Sequence, residues 1–159
     1  MQAEYNAIVD PRPHPLQLQA WRAFLTAHAR VTEVLERELD SERQLPLAWY
    51  DVLVQLSDAA DGRLRMHDLA RAVLLSRAGL TRLVDRMAVA GLVERVPCEE
   101  DRRGTYVALT GAGATALAQA APVHLRGVER HFTRHLSDGD ARELSHVLAR
   151  VIEGIEEEP

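Results

Sequence analysis

LLSRAGLTRLVDRMAVAGLVER, residues 74–95, carries the signals for both ends of one short helix. Ser76 has the side-chain hydroxyl that an N-cap needs, and Gly91 can adopt the left-handed conformation that ends a helix. Between these ends, apolar side chains recur at helical spacing, which predicts that one face of the helix packs on a core. The predicted inner face consists of Leu80, Leu83, Val84 and Met87.

The opposite face of this helix is polar and rich in arginine. It contains Ala78, Thr81, Arg82, Asp85 and Arg86, with Arg77 flanking it at the N-terminal end. Guanidinium groups match guanine edges and phosphates, and small neighbouring side chains let a helix approach the DNA major groove closely. The face is therefore typical of a DNA recognition helix, although an ordinary amphipathic surface helix has a similar pattern.

Two segments before this helix complete a helix-turn-helix. Residues 47–59 have the apolar period of a helix, and the Asp-Gly pair at residues 61–62 favours a turn. A further short helix is expected over residues 66–73, directly before the recognition helix. Two short helices joined by a tight turn, the second with a polar outer face, are typical of a helix-turn-helix.

The apolar period changes from helical to alternating after Gly91. Residues 92–96 and 105–109 both favour strands, and the polar segment 98–104 between them ends in glycine, which predicts a β-hairpin wing. Near its tip lie Asp101, Arg102 and Arg103. A guanidinium at a hairpin tip suits the narrow, negative minor groove, and a neighbouring aspartate can hold its direction. The alternative is a plain hairpin with solvated charges.

Long amphipathic helices are expected on both sides of this unit. Residues 1–15 contain three prolines and are expected to form an N-terminal arm, followed by a helix over residues 16–39 with a wide apolar stripe. An alanine-rich helix over residues 112–135, bent at Pro122, precedes a last helix with an apolar repeat over residues 144–155. The chain's other end or a second copy of the protein could cover the first stripe, and because both stripes are too large to leave in water, an obligate homodimer is expected.

Composition and charge narrow the class of protein. The 159 residues suffice for one domain, and a hydrophobic content of 47% is typical of a globular chain. The net charge is −5, but residues 63–103 hold nine arginines against six acids, so a local basic patch lies on an acidic body. The single cysteine excludes an internal disulfide and a cysteine-based zinc cluster. No signal peptide or membrane-spanning run is found, so a cytoplasmic protein without a membrane partner is expected.

The order helix, helix, helix-turn-helix, wing and two helices resembles the MarR family of bacterial transcription regulators. The most specific match is Asp101-Arg102-Arg103-Gly104 in the wing, followed by Leu109-Thr110. Further matching residues run through most of the chain: 50–53 (YDVL), 66–70 (MHDLA), 75–86 (LSRAGLTRLVDR) and 91–95 (GLVER). Gly79 departs from the family, in which polar residues are frequent at this position, and so removes one potential contact.

The resemblance implies a mainly α fold in which a winged helix-turn-helix is flanked by N- and C-terminal dimerisation helices. It implies one domain over residues 16–155, with a DNA-binding lobe at 47–110 and dimerisation helices at 16–45 and 111–155. Such a triangular homodimer would bind a pseudo-palindromic operator as a ligand-responsive repressor, often released by a small phenolic effector. DNA contacts carry over to Ser76, Arg77, Thr81, Arg82, Arg86, Asp101, Arg102 and Arg103.

Other side chains are candidates for ligand, metal or redox chemistry. Candidates for an effector pocket, with plain core packing as the alternative, are Trp21, His28, Trp49 and Tyr50. The spacing of His124, His131 and His135 on one helix face leaves a metal-responsive regulator open, with surface or dimer-packing histidines as the alternative. A redox-responsive regulator would depend on Cys98, and the acids beside it disfavour the reactive thiolate.

An enzyme and a structural helical dimer are the rival classes of function. No phosphate-binding glycine loop, pair of catalytic carboxylates or metalloprotease motif is present in the sequence. His67, Asp68 and Ser76 lie near one another along the chain, but surface positions and a helix cap explain them better than catalysis does. No cofactor is expected, and a structural dimer without DNA conflicts with the predicted wing.

Overall fold

The computed structural model describes residues 13–73, 77–98 and 104–156. Within these ranges, six α-helices, one turn of 3₁₀ helix and three strands follow one another. They are α1 (Pro15–Arg43), α2 (Leu47–Asp58), β1 (Arg63–Arg65), α3 (Met66–Ala72), α4 (Arg77–Val89), β2 (Val93–Pro97), β3 (Thr105–Leu109), α5 (Gly111–His131), the 3₁₀ turn (Thr133–His135) and α6 (Asp138–Glu156). The expected class, mainly α with a small wing sheet, is confirmed.

α1 begins earlier and ends later than its apolar pattern indicated. His14 Nδ1 accepts from the amide of Leu16 at 3.3 Å, and Gln17 Oε1 accepts from the amide of His14 at 2.9 Å. This reciprocal capping box, with Pro15 at the first helical position, starts the helix within the segment expected to be an arm. At the other end, Gln44 stops the helix with a left-handed φ of 53°.

The sheet contains a strand that the sequence analysis missed. β1 pairs with β3, and β3 with β2, all antiparallel, in the order β1-β3-β2. β1 has only three residues, too few for an alternating pattern to be visible, and it directly follows the expected turn at residues 61–62. The expected two-stranded hairpin is therefore corrected to a three-stranded sheet, in which the amide of Leu109 also donates to Gly62 O at 2.9 Å.

The core lies where α2, α3 and α4 meet the sheet. The inner face of α4 is buried as predicted, since Leu80, Val84 and Met87 have no exposed surface and Leu83 only 6%. Burying an aliphatic side chain of this size stabilises a fold by about 1.5–3 kcal/mol. The same core contains Val52, Leu53, Leu56, Leu69, Val73, Val93 and Val107. α4 is therefore held by one face, which leaves the other face to solvent.

The helices after the wing differ from the expected single span of residues 112–135. α5 runs as one helix from Gly111 through Pro122 to His131, and residues 133–135 form a separate 3₁₀ turn. α6 then begins with a capping box, in which the side chains of Ser137 and Asp140 each accept from the other's amide.

The terminal helices expose apolar faces in the single chain. Large side chains in the N-terminal half of α1 and the C-terminal half of α6 are between 38% and 68% exposed. They are Leu16, Leu18, Trp21, Phe24, Leu25, Val151, Ile152 and Ile155. Within the described ranges, none of the helices combines the length and the apolar content that a membrane span requires. Among the described residues, most of the exposed large apolar side chains therefore lie on α1 and α6.

Candidate nucleic-acid interface

α4 presents a polar face at the surface of the helix-turn-helix. Its exposed residues include Thr81, Arg82, Asp85 and Arg86, while the opposite face is buried in the core. Among the described residues, neither Arg82 nor Arg86 is paired to an acid, so both guanidinium groups are available to a ligand. Arginines on a helix held in this way can reach base edges and phosphates.

The remaining expected DNA contacts lie in parts of the chain that the structure does not describe. Ser76 falls within residues 74–76, and the side chain of Arg77, the first residue of α4, is also outside the described part. The same holds for the wing-tip residues Asp101, Arg102 and Arg103. Of the expected contacts, the structure therefore gives positions for Thr81, Arg82 and Arg86, and the DNA-binding roles of all of them stay predictions.

Gly91 ends α4 as its sequence indicated. It has a left-handed φ of 76°, and its amide donates to Ala88 O at 3.0 Å. The amide of the next residue, Leu92, donates to Met87 O at 3.0 Å. These two bonds form a Schellman motif, which satisfies the last carbonyls of the helix. The connection from α4 to the wing is therefore short and hydrogen-bonded.

An ion pair joins α4 to the wing. Arg95 on β2 donates from Nη2 to Asp85 Oδ1 on α4 at 2.8 Å. Arg95 points to the helix because it lies on the same side of β2 as Val93, which is in the core and only 2% exposed. The two side chains are 34% and 59% exposed, so the pair contributes little to stability. The pair matters for its position, because it connects α4 and the wing, the two elements expected to contact DNA.

A second junction holds the base of the wing. Thr110 Oγ1 donates to Gly91 O at 2.7 Å and accepts from the amide of Gly113 at 3.0 Å. Gly113 has no room for a side chain, because a Cβ there would overlap the carbonyl oxygen of Leu92. One threonine thus ties together the end of α4, the end of β3 and the start of α5.

The sheet also gathers arginines that the sequence analysis did not single out. Arg63 Cζ lies 4.9 Å, and Arg65 Cζ 5.5 Å, from the centroid of the Tyr106 ring, which are cation–π distances. Arg65 Nη2 also lies 3.6 Å from the sulfur of Cys98, which is buried where the amide of Cys98 donates to Gly104 O and closes the wing stem. Only strand pairing brings β1 beside β3, so no local pattern could have revealed this cluster.

Of the four candidates for an effector pocket, one lines the cleft between the long helices and the other three do not. His28 lines a cleft of about 570 Å³ between α1, α5 and α6, whose lining is otherwise almost wholly apolar. Trp21 is 55% exposed, Trp49 packs against the core where α2, α3 and α4 meet the sheet, and Tyr50 lies against His124 with ring centroids 4.5 Å apart.

The three histidines considered for a metal site occupy different surroundings. His131 Nε2 lies 2.7 Å from Glu38 Oε1, His124 lies against Tyr50, and His135 is in the exposed 3₁₀ turn. Their expected common face is corrected, because α5 ends at His131 and does not carry His135. Over the described ranges, no group of three or more His, Cys, Asp or Glu side chains converges as a metal site requires.

Two half-buried titratable side chains, Asp51 and His124, lie between α2 and α5. His124 Nδ1 is buried and has no hydrogen-bond partner among the described residues. Burial lowers the pKa of His124, and the charge of Asp51 opposes this effect more weakly. Burial likewise raises the pKa of Asp51, against a hydrogen bond from Gln55 and the attraction of His124. Burial therefore favours the uncharged form of the imidazole.

His124→Phe is expected to leave the protein at least as stable at pH 7.5 and to make it less sensitive to acid. Phenylalanine keeps the ring contact with Tyr50 and removes an unsatisfied nitrogen, an exchange that is close to neutral or stabilising. Because the folded-state pKa of His124 is lowered, the unfolded chain takes up this proton first, and stability is lost as the pH falls below about 6.5. In urea unfolding at pH 7.5 and pH 5.5, the wild type should lose more free energy of unfolding than the variant, and equal losses would contradict the assignment.

An exposed arginine face on the second helix of a helix-turn-helix, followed directly by a wing, defines a winged helix-turn-helix DNA-binding protein. Residues 43–104 match the MarR family. AbsC from Streptomyces coelicolor, a MarR family transcriptional regulator, is 35% identical, with a TM-score of 0.84 over 91% of this chain and 97% of that chain. The chain therefore belongs to the MarR family. Because this is a family of transcription regulators, the enzyme alternative is set aside.

Two further relatives show the extent of the similarity. Sco3205 from Streptomyces coelicolor, a MarR family transcriptional regulator solved in complex with DNA, is 30% identical, with a TM-score of 0.84 over 91% of each chain. The multiple antibiotic resistance protein MarR of Escherichia coli is 29% identical over 85 residues, which are 54% of this chain and 59% of that protein. The aligned part thus spans less than two thirds of this curated relative.

Proposed function

We propose that this protein binds a pseudo-palindromic operator as a homodimer and regulates transcription from it. The observation that carries the proposal is the exposed arginine face of α4, held on a buried inner face beside the wing. In this proposal Arg82 reaches base edges in the major groove, Arg86 contacts phosphates, and Arg103 enters the minor groove. The supporting contacts are Ser76, Arg77, Thr81, Asp101 and Arg102. The similarity to Sco3205, which was solved with DNA, supports this role.

The exposed apolar faces of α1 and α6 support a homodimer. In a single chain these faces remain in water, whereas two copies related by a two-fold axis can cover each other's terminal helices. A two-fold axis also places two α4 helices on one side of the dimer. Their half-sites should then lie about 10 base pairs apart, or a close multiple of a helical turn.

Ile152→Ala is expected to raise the dissociation constant of the dimer at least about tenfold. The side chain of Ile152 is 57% exposed in the single chain, and each dimer loses two of them. Val89→Ala is the matched control, because Val89 is 92% exposed at the end of α4, outside the terminal helices. Sedimentation equilibrium compares the two variants. Equal dissociation constants, or a folded wild-type monomer at micromolar concentration, would refute this assembly.

We further propose that the regulator is a repressor that acts in the cytoplasm and is released from DNA by a small aromatic ligand. The cleft beside His28 has a volume of about 570 Å³, within the range that holds small molecules. Its apolar lining suits an aromatic body, and the imidazole can hydrogen-bond one hydroxyl or carboxylate. Hydroxylated benzoic acids are the probes. If none of them changes operator affinity, the ligand proposal fails and DNA binding stands.

Binding to DNA selected by the protein itself tests the proposed function. A duplex enriched from a random-sequence library and a scrambled duplex of the same composition are compared by fluorescence anisotropy at one salt concentration. A regulator should bind the selected duplex at least about 10³-fold more tightly. No enrichment would favour a structural dimer, and equal binding would leave only non-specific attraction. The same assay with zinc, a chelator or an oxidant tests the metal- or redox-responsive alternative.

A further inference from the structure

We infer that the ion pair between Asp85 and Arg95 is a positioning device, which fixes the angle between α4 and the wing so that one subunit enters adjacent major and minor grooves together. The inference rests on the proposed DNA-binding function. It assigns both residues to the geometry of binding, whereas the sequence pattern placed Asp85 only on the polar outer face of α4.

The location of Asp85 calls for such a role. It lies on the exposed face of α4, one turn from Arg82 and next to Arg86, where a free carboxylate would repel DNA phosphates. Its Oδ1 lies 2.8 Å from Arg95 Nη2, so its charge is directed to the wing. An exposed pair of this kind contributes only about 0–1 kcal/mol to folding, so stability does not account for an acid at this position.

The location of Arg95 lets the pair act as a brace, that is, as a second attachment that holds the wing at a fixed angle to α4. The wing is anchored at its base, where Thr110 bonds to Gly91 O and where Val93 enters the core. β3 is also held by β1, which pairs with it as far as Tyr106, whereas β2 has no strand on its other side among the described residues. Arg95 is two residues further along β2, about 7 Å from Val93 at the usual rise of a strand. A second tie at this distance fixes the tilt of the strand that leads to the wing tip.

Two other roles for these residues give different results. As a direct base reader, Asp85 would accept a hydrogen bond from cytosine and set the preference at one base pair. As a simple phosphate contact, Arg95 would bind DNA more tightly once Asp85 no longer neutralised it. A brace predicts weaker DNA binding instead, because removing the acid leaves the arginine in place but releases β2 from α4.

Asp85→Asn is expected to weaken binding to the selected duplex about tenfold, which is the loss of one well-placed contact. Glu42→Gln is the matched control, since it makes the same change in charge and removes an exposed ion pair at 3.1 Å with Arg126, between α1 and α5. The control should bind DNA as the wild type does or slightly more tightly. Thermal unfolding of both variants should match the wild type, so the loss of affinity does not reflect unfolding.

The affinity that the wing contributes in the minor groove gives a second readout. This readout would not change if the ion pair only stabilised the fold. A·T pairs flanking the half-sites are replaced by G·C, which widens the minor groove that the wing enters. The wild type should lose affinity on this duplex, and Asp85→Asn should be nearly insensitive to it. Arg95→Gln should behave in the same way, and the double variant should be no weaker than either single variant.

The outcomes separate this inference from the proposed function. If the wild type does not prefer its selected duplex, the proposed function fails. If the wild type prefers it but Asp85→Asn binds equally well or more tightly, only the brace is overturned. A loss confined to one base pair of the half-site would also overturn it and would make Asp85 a base reader.

Discussion

Gly113→Ala is expected to lower the free energy of unfolding by about 3 kcal/mol, the upper part of the usual range for overpacking. The added methyl group would overlap the carbonyl oxygen of Leu92 and lie 2.9 Å from Leu109 Cδ1. The carbonyl cannot move aside easily, because it accepts from the amide of Thr110 at 3.2 Å. Relief of the overlap must therefore separate α5 from the end of α4.

Gly111→Ala is the matched control for this substitution. Gly111 lies in the same first turn of α5, but nothing stands within 4 Å of an added Cβ. Alanine there should leave stability unchanged or raise it by up to about 1 kcal/mol, since alanine favours helices over glycine. Urea unfolding at one protein concentration compares the two variants. If Gly113→Ala proves as stable as Gly111→Ala, the close packing at this junction is wrong.

Arg82→Ala is expected to reduce the preference for the selected duplex over a scrambled one by about 1–3 kcal/mol. Arg82 lies in the middle of the exposed face of α4, where a side chain reaches base edges. Arg86→Ala is the paired variant, one turn further along, where the helix should leave the groove floor. It should weaken binding to both duplexes about equally and reduce the salt slope by about one unit.

Salt titrations on both duplexes separate the two arginines. Binding constants for each variant are measured over a series of salt concentrations, so that the slope and the discrimination come from the same data. Should Arg86→Ala lose discrimination while Arg82→Ala keeps it, the placement of α4 in the groove is reversed.

Much of the winged helix-turn-helix could be predicted because its signals are local. The C-terminal Gly91 and helical spacing located α4, and its inner residues proved buried because an apolar stripe on a short helix has few other places to pack. The strands of the wing followed from alternation between Gly91 and Thr110. β1 could not be predicted, because its three residues become a strand only through pairing with β3.

Contacts between segments that are distant along the chain could not be predicted from sequence patterns. Asp85 could be assigned to the outer face of α4, but its bond to Arg95 depends on how the hairpin folds back on the helix. Periodicity within a helix shows which face is apolar but not which neighbour that face meets. It therefore could not show the different surroundings of Trp21, His28, Trp49 and Tyr50. The prediction that three histidines share one helix face was wrong for a related reason, because α5 ends at His131 and His135 lies in a separate 3₁₀ turn.

Hydroxyl-radical footprinting on the selected duplex tests most directly whether two α4 helices and two wings of one homodimer bind a single operator. The expected pattern is two-fold symmetric, with two protected half-sites about 10 base pairs apart, or a close multiple of a helical turn, each flanked by minor-groove protection from a wing. A single asymmetric patch, or uniform protection regardless of sequence, would contradict binding by a winged helix-turn-helix dimer.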